Sequence, residues 1–542
     1  MPQDFLTRTA VFLLFANPAL FAASAFGPLL TSSNLGSGTN AVSNVMAWDP
    51  VRGGWLGLFA SGSGLTLARG ISFGPDGNLY VASQATGQIL RFDGHSGKSL
   101  GVFSSVLSPD GITFGQDGSL YVVSNNPTSV IRCDGKTGSG CVAFASPSAA
   151  SASSADWFMP AFGPDGNLYV SSASDAGVLQ FNGVTGAFMK LFASTNLITP
   201  FGILFTPDGS LLVSDIAMSQ ILKFNGATGA YVSTFASGGL LNGPSQLLAG
   251  PNGDIYVANS FAGNVLRYDA SGNYIDAIIP STSIGPGAVN FLAFAPALPQ
   301  PAISSNGVVN GIVNAASFTG GAVSPGEILT LFGTNMGPSR GFIYQVDPSG
   351  KIAGYTAGTR VLFDGVAAPV LYAQQNQVSV IAPYGIDGRS QVNIQVEYLG
   401  QASLAISSPV AATTPGIFTA AQNGTGQGAI LLSDGHTAND PTHPATRGSI
   451  VSIFATGAGQ TNPTGVDGEF APSPAPAPAQ TVSVKIGGQD ADVVYAGGSP
   501  GSVEGLLQIN VVVPQNVPSG NVPVSIAIGE GQGQAGVTLA VN

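Results

Sequence analysis

Residues 70–105 read GISFGPDGNLYVASQATGQILRFDGHSGKSLGVFSS, and their reading decides the fold. Short apolar runs, ISF, LYV, QILRF and SLGVF, alternate with turn signals, so the stretch predicts four strands joined by tight turns. The Asp-Gly pairs mark turns that need a positive φ, which Gly supplies without a steric penalty. The chain then repeats this unit. GPDGNLYV recurs as GQDGSLYV, GPDGNLYV, TPDGSLLV and GPNGDIYV, with its turn residue at Asp76, Asp117, Asp165, Asp208 and Asn252. The intervals are 41, 48, 43 and 44 residues. A second turn keeps step: FDGHSG, CDGKTG, FNGVTG, FNGATG and YDASG. Four strands per ~40–45 residues is the period of a β-propeller blade.

The whole chain supports the same class. At 542 residues it predicts two or three domains. Hydrophobic residues make up 44% and charged residues only 8%, with 75 Gly and 37 Pro. A disordered chain would carry more charge and fewer Val, Ile and Phe. The expected fold class is all-β, a six-bladed β-propeller plus two Ig-like β-sandwich modules. The net charge of -12 is spread thinly and no Lys/Arg run occurs, which argues against nucleic acid as a partner.

Residues 1–25 carry Arg8, an apolar run and the small-residue site Ala23-Ser24-Ala25, the pattern of an export signal rather than a membrane anchor. No transmembrane segment is expected after its removal. The expected location is secreted, extracellular or at the cell surface. In that setting Cys133 and Cys141, which flank the turn RCDGKTGSGC, read as a cross-strand disulfide.

Five full units run to about residue 279. VNFLAFAP at 289–296 reads as one more innermost strand, and the N-terminal segment supplies outer strands that lack an inner one. Joined, they close a sixth blade and leave no exposed edge, seven blades being the alternative count. The propeller is thus expected over 26–296. The repeated turns resemble those of the NHL and SMP-30/gluconolactonase type of six-bladed propeller, over about 28–296. Enzymes of that type use a carboxylate- and amide-rich metal site at the channel mouth, or a His with a Glu. This chain has no Glu in the propeller and one His there, His95, in a turn on the other face.

In a propeller the first strand of each blade lines the channel, and the turns between strands one and two and between three and four share a face. The repeated turns therefore belong to a scaffold face, and variable loops form the opposite one. On that face the sequence offers Arg69, Trp157, Phe158, Phe201 and Gln246 as ligand-binding residues, Trp157 and Phe158 closing the long loop 147–159. Asp110, Asp215, Asn259 and Asn290 carry the hard oxygens that Ca²⁺ takes, and Ca²⁺ is the one cofactor for which side chains present themselves.

A Pro-rich linker at 297–305 precedes a new pattern. PGEILTLFGTNMGP at 325–338 is echoed by RGSIVSIFATGAGQ at 447–460, VLFDGVAAPVLYA by VKIGGQDADVVYA, and NQVSVIAP by LQINVVVP. Two Ig-like modules follow, at 306–412 and 413–542. SPGEILTLFGTNMG resembles the start of an IPT/TIG module. VNAASF, PGIFTAAQNGTGQGAIL, PATRGSIVSIFATGAG and QINVVVP resemble the uncharacterised C-terminal domain of secreted acidobacterial (Solibacter-type) proteins. Two chemical-looking clusters here read as structural. Gly497-Gly498-Ser499-Pro500-Gly501 spells a nucleophile elbow but leads to Pro and more strand. Asp434, His436, Asp440 and His443 crowd into one loop with nothing to fix a zinc geometry.

Three functions stay open on sequence. The leading one is a secreted or cell-surface protein that binds an extracellular glycan or protein on the variable face. The others are a metal-dependent hydrolase or lactonase and a structural surface protein without a ligand. With no general base in view, catalysis is not the expected role.

Overall fold

The structure, a computed structural model, describes residues 26–35, 42–147, 156–250, 252–284, 289–304 and 311–542. The export signal expected at 1–25 and the middle of loop 147–159 lie outside the described residues. The first half forms six four-stranded antiparallel sheets. Blade 1 runs Ala68–Phe73, Leu79–Ser83, Gln88–Phe92 and Ser99–Ser105. Blades 2 to 5 begin with inner strands Pro109–Phe114, Trp157–Phe162, Pro200–Phe205 and Pro244–Ala249. Blade 6 takes its inner strand, Leu292–Pro296, from the end of the propeller and its outer three, Phe26–Leu35, Val42–Trp48 and Trp55–Ser61, from the beginning. Leu29 faces Phe294 and Leu30 faces Ala293 in that closure.

The repeated motif is explained by what its side chains do. In blade 1 the Asp76 carboxylate accepts the Asn78 amide and the Tyr80 hydroxyl. Tyr80 is buried, and its ring meets Phe103 and Phe114 edge-on, at 4.8 and 4.9 Å. Tyr121 and Tyr169 repeat this arrangement with Asp117 and Asp165. Such edge-to-face aromatic contacts add about 1 kcal/mol each beyond area burial. Blade 4 has Leu212 at this position, and its Asp208 pairs with Lys223 at 2.9 Å instead. A Cβ on Gly94 would overlap the Gly77 carbonyl, so the second turn needs Gly to nest against the first. Cys133 and Cys141 are joined by a disulfide across the corresponding turn of blade 2.

The second half contains two modules, each of two packed sheets. In the first, Ile328–Thr334, Gln377–Ile381 and Val370–Gln374 face Thr359–Phe363 and Gln391–Tyr398. Val361, Val378, Val380, Val392 and Ile394 fill the space between. In the second, Ile450–Thr456 and Leu507–Val512 pair as their counterparts Ile328–Thr334 and Gln377–Ile381 do. The duplicated phrases thus occupy the same sheet positions.

The halves are packed on each other. Tyr398, Leu399 and Ala357 of the first module join the hydrophobic core that includes Leu56 and Ala60 of blade 6. Arg52 reaches Glu397 at 2.8 Å, Arg360 holds its other oxygen at 2.5 Å, and the Tyr355 hydroxyl donates to Asp49 at 2.8 Å. Burial pushes the Glu397 carboxyl up, but the hydrogen bonds from Arg360 and Arg52 outweigh it and hold it below its ordinary range.

Candidate functional site at the channel mouth

Each of the five inner strands of blades 1 to 5 shifts register between its first and fourth residues. The irregularity leaves the second residue of each strand outside the regular pairing with the next strand. These second residues are Arg69, Asp110, Phe158, Phe201 and Ser245, and Asn290 completes the ring. Adjacent strands approach closely: a Cβ on Gly111 would strike the Phe158 carbonyl.

The ring is closed by aromatic packing. Phe158 and Phe201 stack with centroids 4.6 Å apart and planes 19° apart, and Phe201 meets Phe291 at 5.5 Å. Phe201 is buried and Phe158 half-buried. Phe158, Phe201 and Phe291 thus form an aromatic plug on this face. The expectation for Trp157 is corrected. It is fully buried between blades 2 and 3, beside Phe181 and among Tyr121, Val123 and Val130. It occupies the first position of its strand, where Ala68, Pro109, Pro200 and Pro244 are also buried. Gln246 is buried, and its side-chain oxygen accepts the Leu292 amide at 2.6 Å, so it ties blade 5 to blade 6. Arg69 is half-buried, and its Nε donates to Gln84 at 3.1 Å.

The four oxygen-bearing residues expected to gather around Ca²⁺ do not fit the ion. Asp215 is buried, and its oxygens accept the amides of Ile198 at 2.5 Å, Thr199 at 3.2 Å and Met218 at 3.0 Å. The Asn259 oxygen accepts the Asn242 amide, and its nitrogen donates to Leu240 and Asn264. The Asn290 side-chain oxygen accepts the Ser260 hydroxyl. Asp215 and Asn259 stand in a column with Ser83, Ser124 and Ser172, and the column anchors loops. Ser83 and Ser124 show the same use, donating to Thr66 and Leu107 carbonyls. Among the described residues no group of three or more His, Cys, Asp or Glu converges. Asp110 stands apart from the other three. It is buried with one oxygen unpartnered, and burial, partly offset by Arg69, pushes its carboxyl up to about 7.

The anchors have a consequence that sequence reading missed. Asp215 fixes the loops that carry Ile198 and Met218, and Asn259 fixes the loop that carries Leu240. The Phe261 amide donates to Asn242 in that loop, and Ser219 accepts from Gly243 across the two blades. Ile198, Met218, Leu240 and Phe261 are each more than half exposed, as is Leu107 in the loop between blades 1 and 2. The mouth is thus rimmed by solvent-facing apolar side chains on loops held by buried polar groups. In the second half, Ser499 sits in a turn between strands, and Ser502 and Gln508 are its side-chain hydrogen-bond partners. Asp434 and Asp440 accept hydrogen bonds from within their own loop.

No known protein family and no curated protein matches the chain. Solved propellers do. A chain of a nidogen/laminin complex is 15% identical, with 50% of this chain and 99% of that one covered and a TM-score of 0.41. A gluconolactonase from Xanthomonas campestris is 14% identical over 50% and 96%, with a TM-score of 0.36. A virginiamycin B lyase from Staphylococcus aureus, bound to quinupristin, is 16% identical over 51% and 94%, with a TM-score of 0.38. These likenesses carry no activity over to this chain.

Proposed function

We propose that this is an exported binding protein whose propeller takes a protein ligand on the rim of its channel mouth. One observation supports the reading above others: Ile198, Met218, Leu240 and Phe261 stand exposed together around blades 4 and 5. Exposed apolar clusters of this kind mark interaction sites on soluble proteins. Rigid anchoring lowers the ordering cost of binding. Three of the four, Ile198, Met218 and Leu240, are non-aromatic, which suits a protein surface better than a glycan, since a glycan favours aromatic platforms and polar rims. The lactonase alternative has Asp110 to stand on, while Asp215, Asn259 and Asn290 are engaged in the scaffold. A purely structural role is the second reading, supported by the Phe158–Phe201–Phe291 plug.

The test is photo-cross-linking with benzoylphenylalanine in place of Phe261, in the extracellular protein fraction of the producing cells. The binding reading expects one discrete adduct, lost when Ile198→Asp and Leu240→Asp are added. An adduct indifferent to those changes, or none, would favour the structural role.

A further inference from the structure

A second concavity lies on the opposite side of the propeller from the rim, where blade 6 meets the first sandwich module. It encloses about 180 Å³. Leu56, Leu58 and Phe59 of blade 6 and Leu298 of the linker form an apolar wall. The second turn of blade 1 brings His95 to its edge, and the sandwich contributes Asn335, Gln375 and Tyr398. No Asp, Glu, Lys or Arg is among the described residues lining it.

Several polar side chains at this cleft have no protein partner, while the Ser96 hydroxyl donates to Asp93. Tyr398 is 6% exposed, yet its hydroxyl has no hydrogen-bond partner among the described residues. The side chains of His95 and Gln375 face solvent and that of Asn335 is half-buried, and none of the three has a protein hydrogen-bond partner among the described residues. The Tyr398 hydroxyl itself is reached by solvent, so it opens onto the cleft, where a ligand hydroxyl can replace water as its partner. Junctions between domains are also where such sites concentrate.

We propose that the cleft binds a neutral, hydroxylated single aromatic ring, a phenol in chemical class. Neutrality follows from the uncharged lining. The size follows from the volume, since a cavity of about 150 Å³ accommodates benzene. The apolar wall takes the ring face, and the Tyr398 hydroxyl, with the Gln375 or Asn335 amide, bonds the ligand hydroxyl. A sugar of similar size would leave several hydroxyls against leucine and proline. The site lies away from the rim and is independent of the protein-binding reading.

The experiment is saturation-transfer NMR on the full chain, with phenol as the probe and methyl glucoside as the comparison. Wild type is expected to give a saturable phenol signal and none with the glucoside. Tyr398→Phe, which deletes only the hydroxyl, is expected to weaken phenol about tenfold. Leu58→Trp and Gln375→Trp fill the cleft from opposite walls, and each is expected to abolish the signal with melting unchanged. Either folded filling variant retaining phenol would overturn the proposal. So would glucoside bound as well as phenol, or no saturable phenol binding by wild type.

Discussion

Phe158 and Phe201, from the inner strands of neighbouring blades, lie nearly parallel with their ring centroids 4.6 Å apart across the mouth of the channel. The two rings cover each other's faces, and the apolar side chains more than half exposed on this face are those of the rim. Phe201→Ala removes the buried half of the plug, and a large-to-small change of this kind costs about 3–5 kcal/mol. Denaturant unfolding followed by tryptophan emission should show that loss, with Phe158→Ala, at the half-buried ring, costing less.

The Asp215 carboxylate serves loop geometry. Asp215→Ala strands three backbone amides and is expected to cost about 3 kcal/mol. Because the oxygens face amides, chelation should not matter. Dialysis against EDTA and return of Ca²⁺ should leave the melting temperature where it was. An ion present at a hundredfold over its Kd would stabilise by about 2.7 kcal/mol, which a thermal scan detects.

Asp110 gives the protein a pH signature. Its folded carboxyl titrates at about 7, against 3.8 unfolded, with burial as the main cause. Between those values the folded state binds the extra proton, so this group's contribution is full below about pH 4 and is lost as pH rises through about 7. Glu327, buried between Asn314 and Ser324 and also raised to about 7, acts in the same direction. Asp110→Asn mimics the neutral acid. Its melting temperature should match wild type near pH 4 and exceed it at pH 8; equal differences at both values would contradict the assignment.

The Arg52–Glu397–Arg360 cluster fastens the propeller to the first sandwich module. A double-mutant cycle of Arg52→Ala with Glu397→Ala should give a coupling of about 1–2 kcal/mol, since the residues touch and share a partly buried site. Both single variants should also expose linker 297–301 to a broad-specificity protease.

The blades were legible because their turns constrain sequence: Gly94 must lack a Cβ, and Asp76 must hold both an amide and Tyr80. The site was less so. Trp157 reads as a lip residue at the end of a long loop, but strand position decides, and position one points between blades. Aligning it with Ala68, Pro109, Pro200 and Pro244 carries the signal. Asp215 and Asn259 look like metal ligands in isolation. In a column shared with Ser83 and Ser124 they are one more way to cap a loop. The free hydroxyl of Tyr398 depends on how two distant segments dock, which no local pattern encodes.

The most direct test of the rim as a protein-binding surface is the affinity of the cross-linked ligand, once isolated, for the full chain and for Ile198→Asp with Phe261→Asp. The account predicts at least a hundredfold weaker binding by the double variant, at unchanged melting temperature. Affinity within twofold of wild type would contradict it.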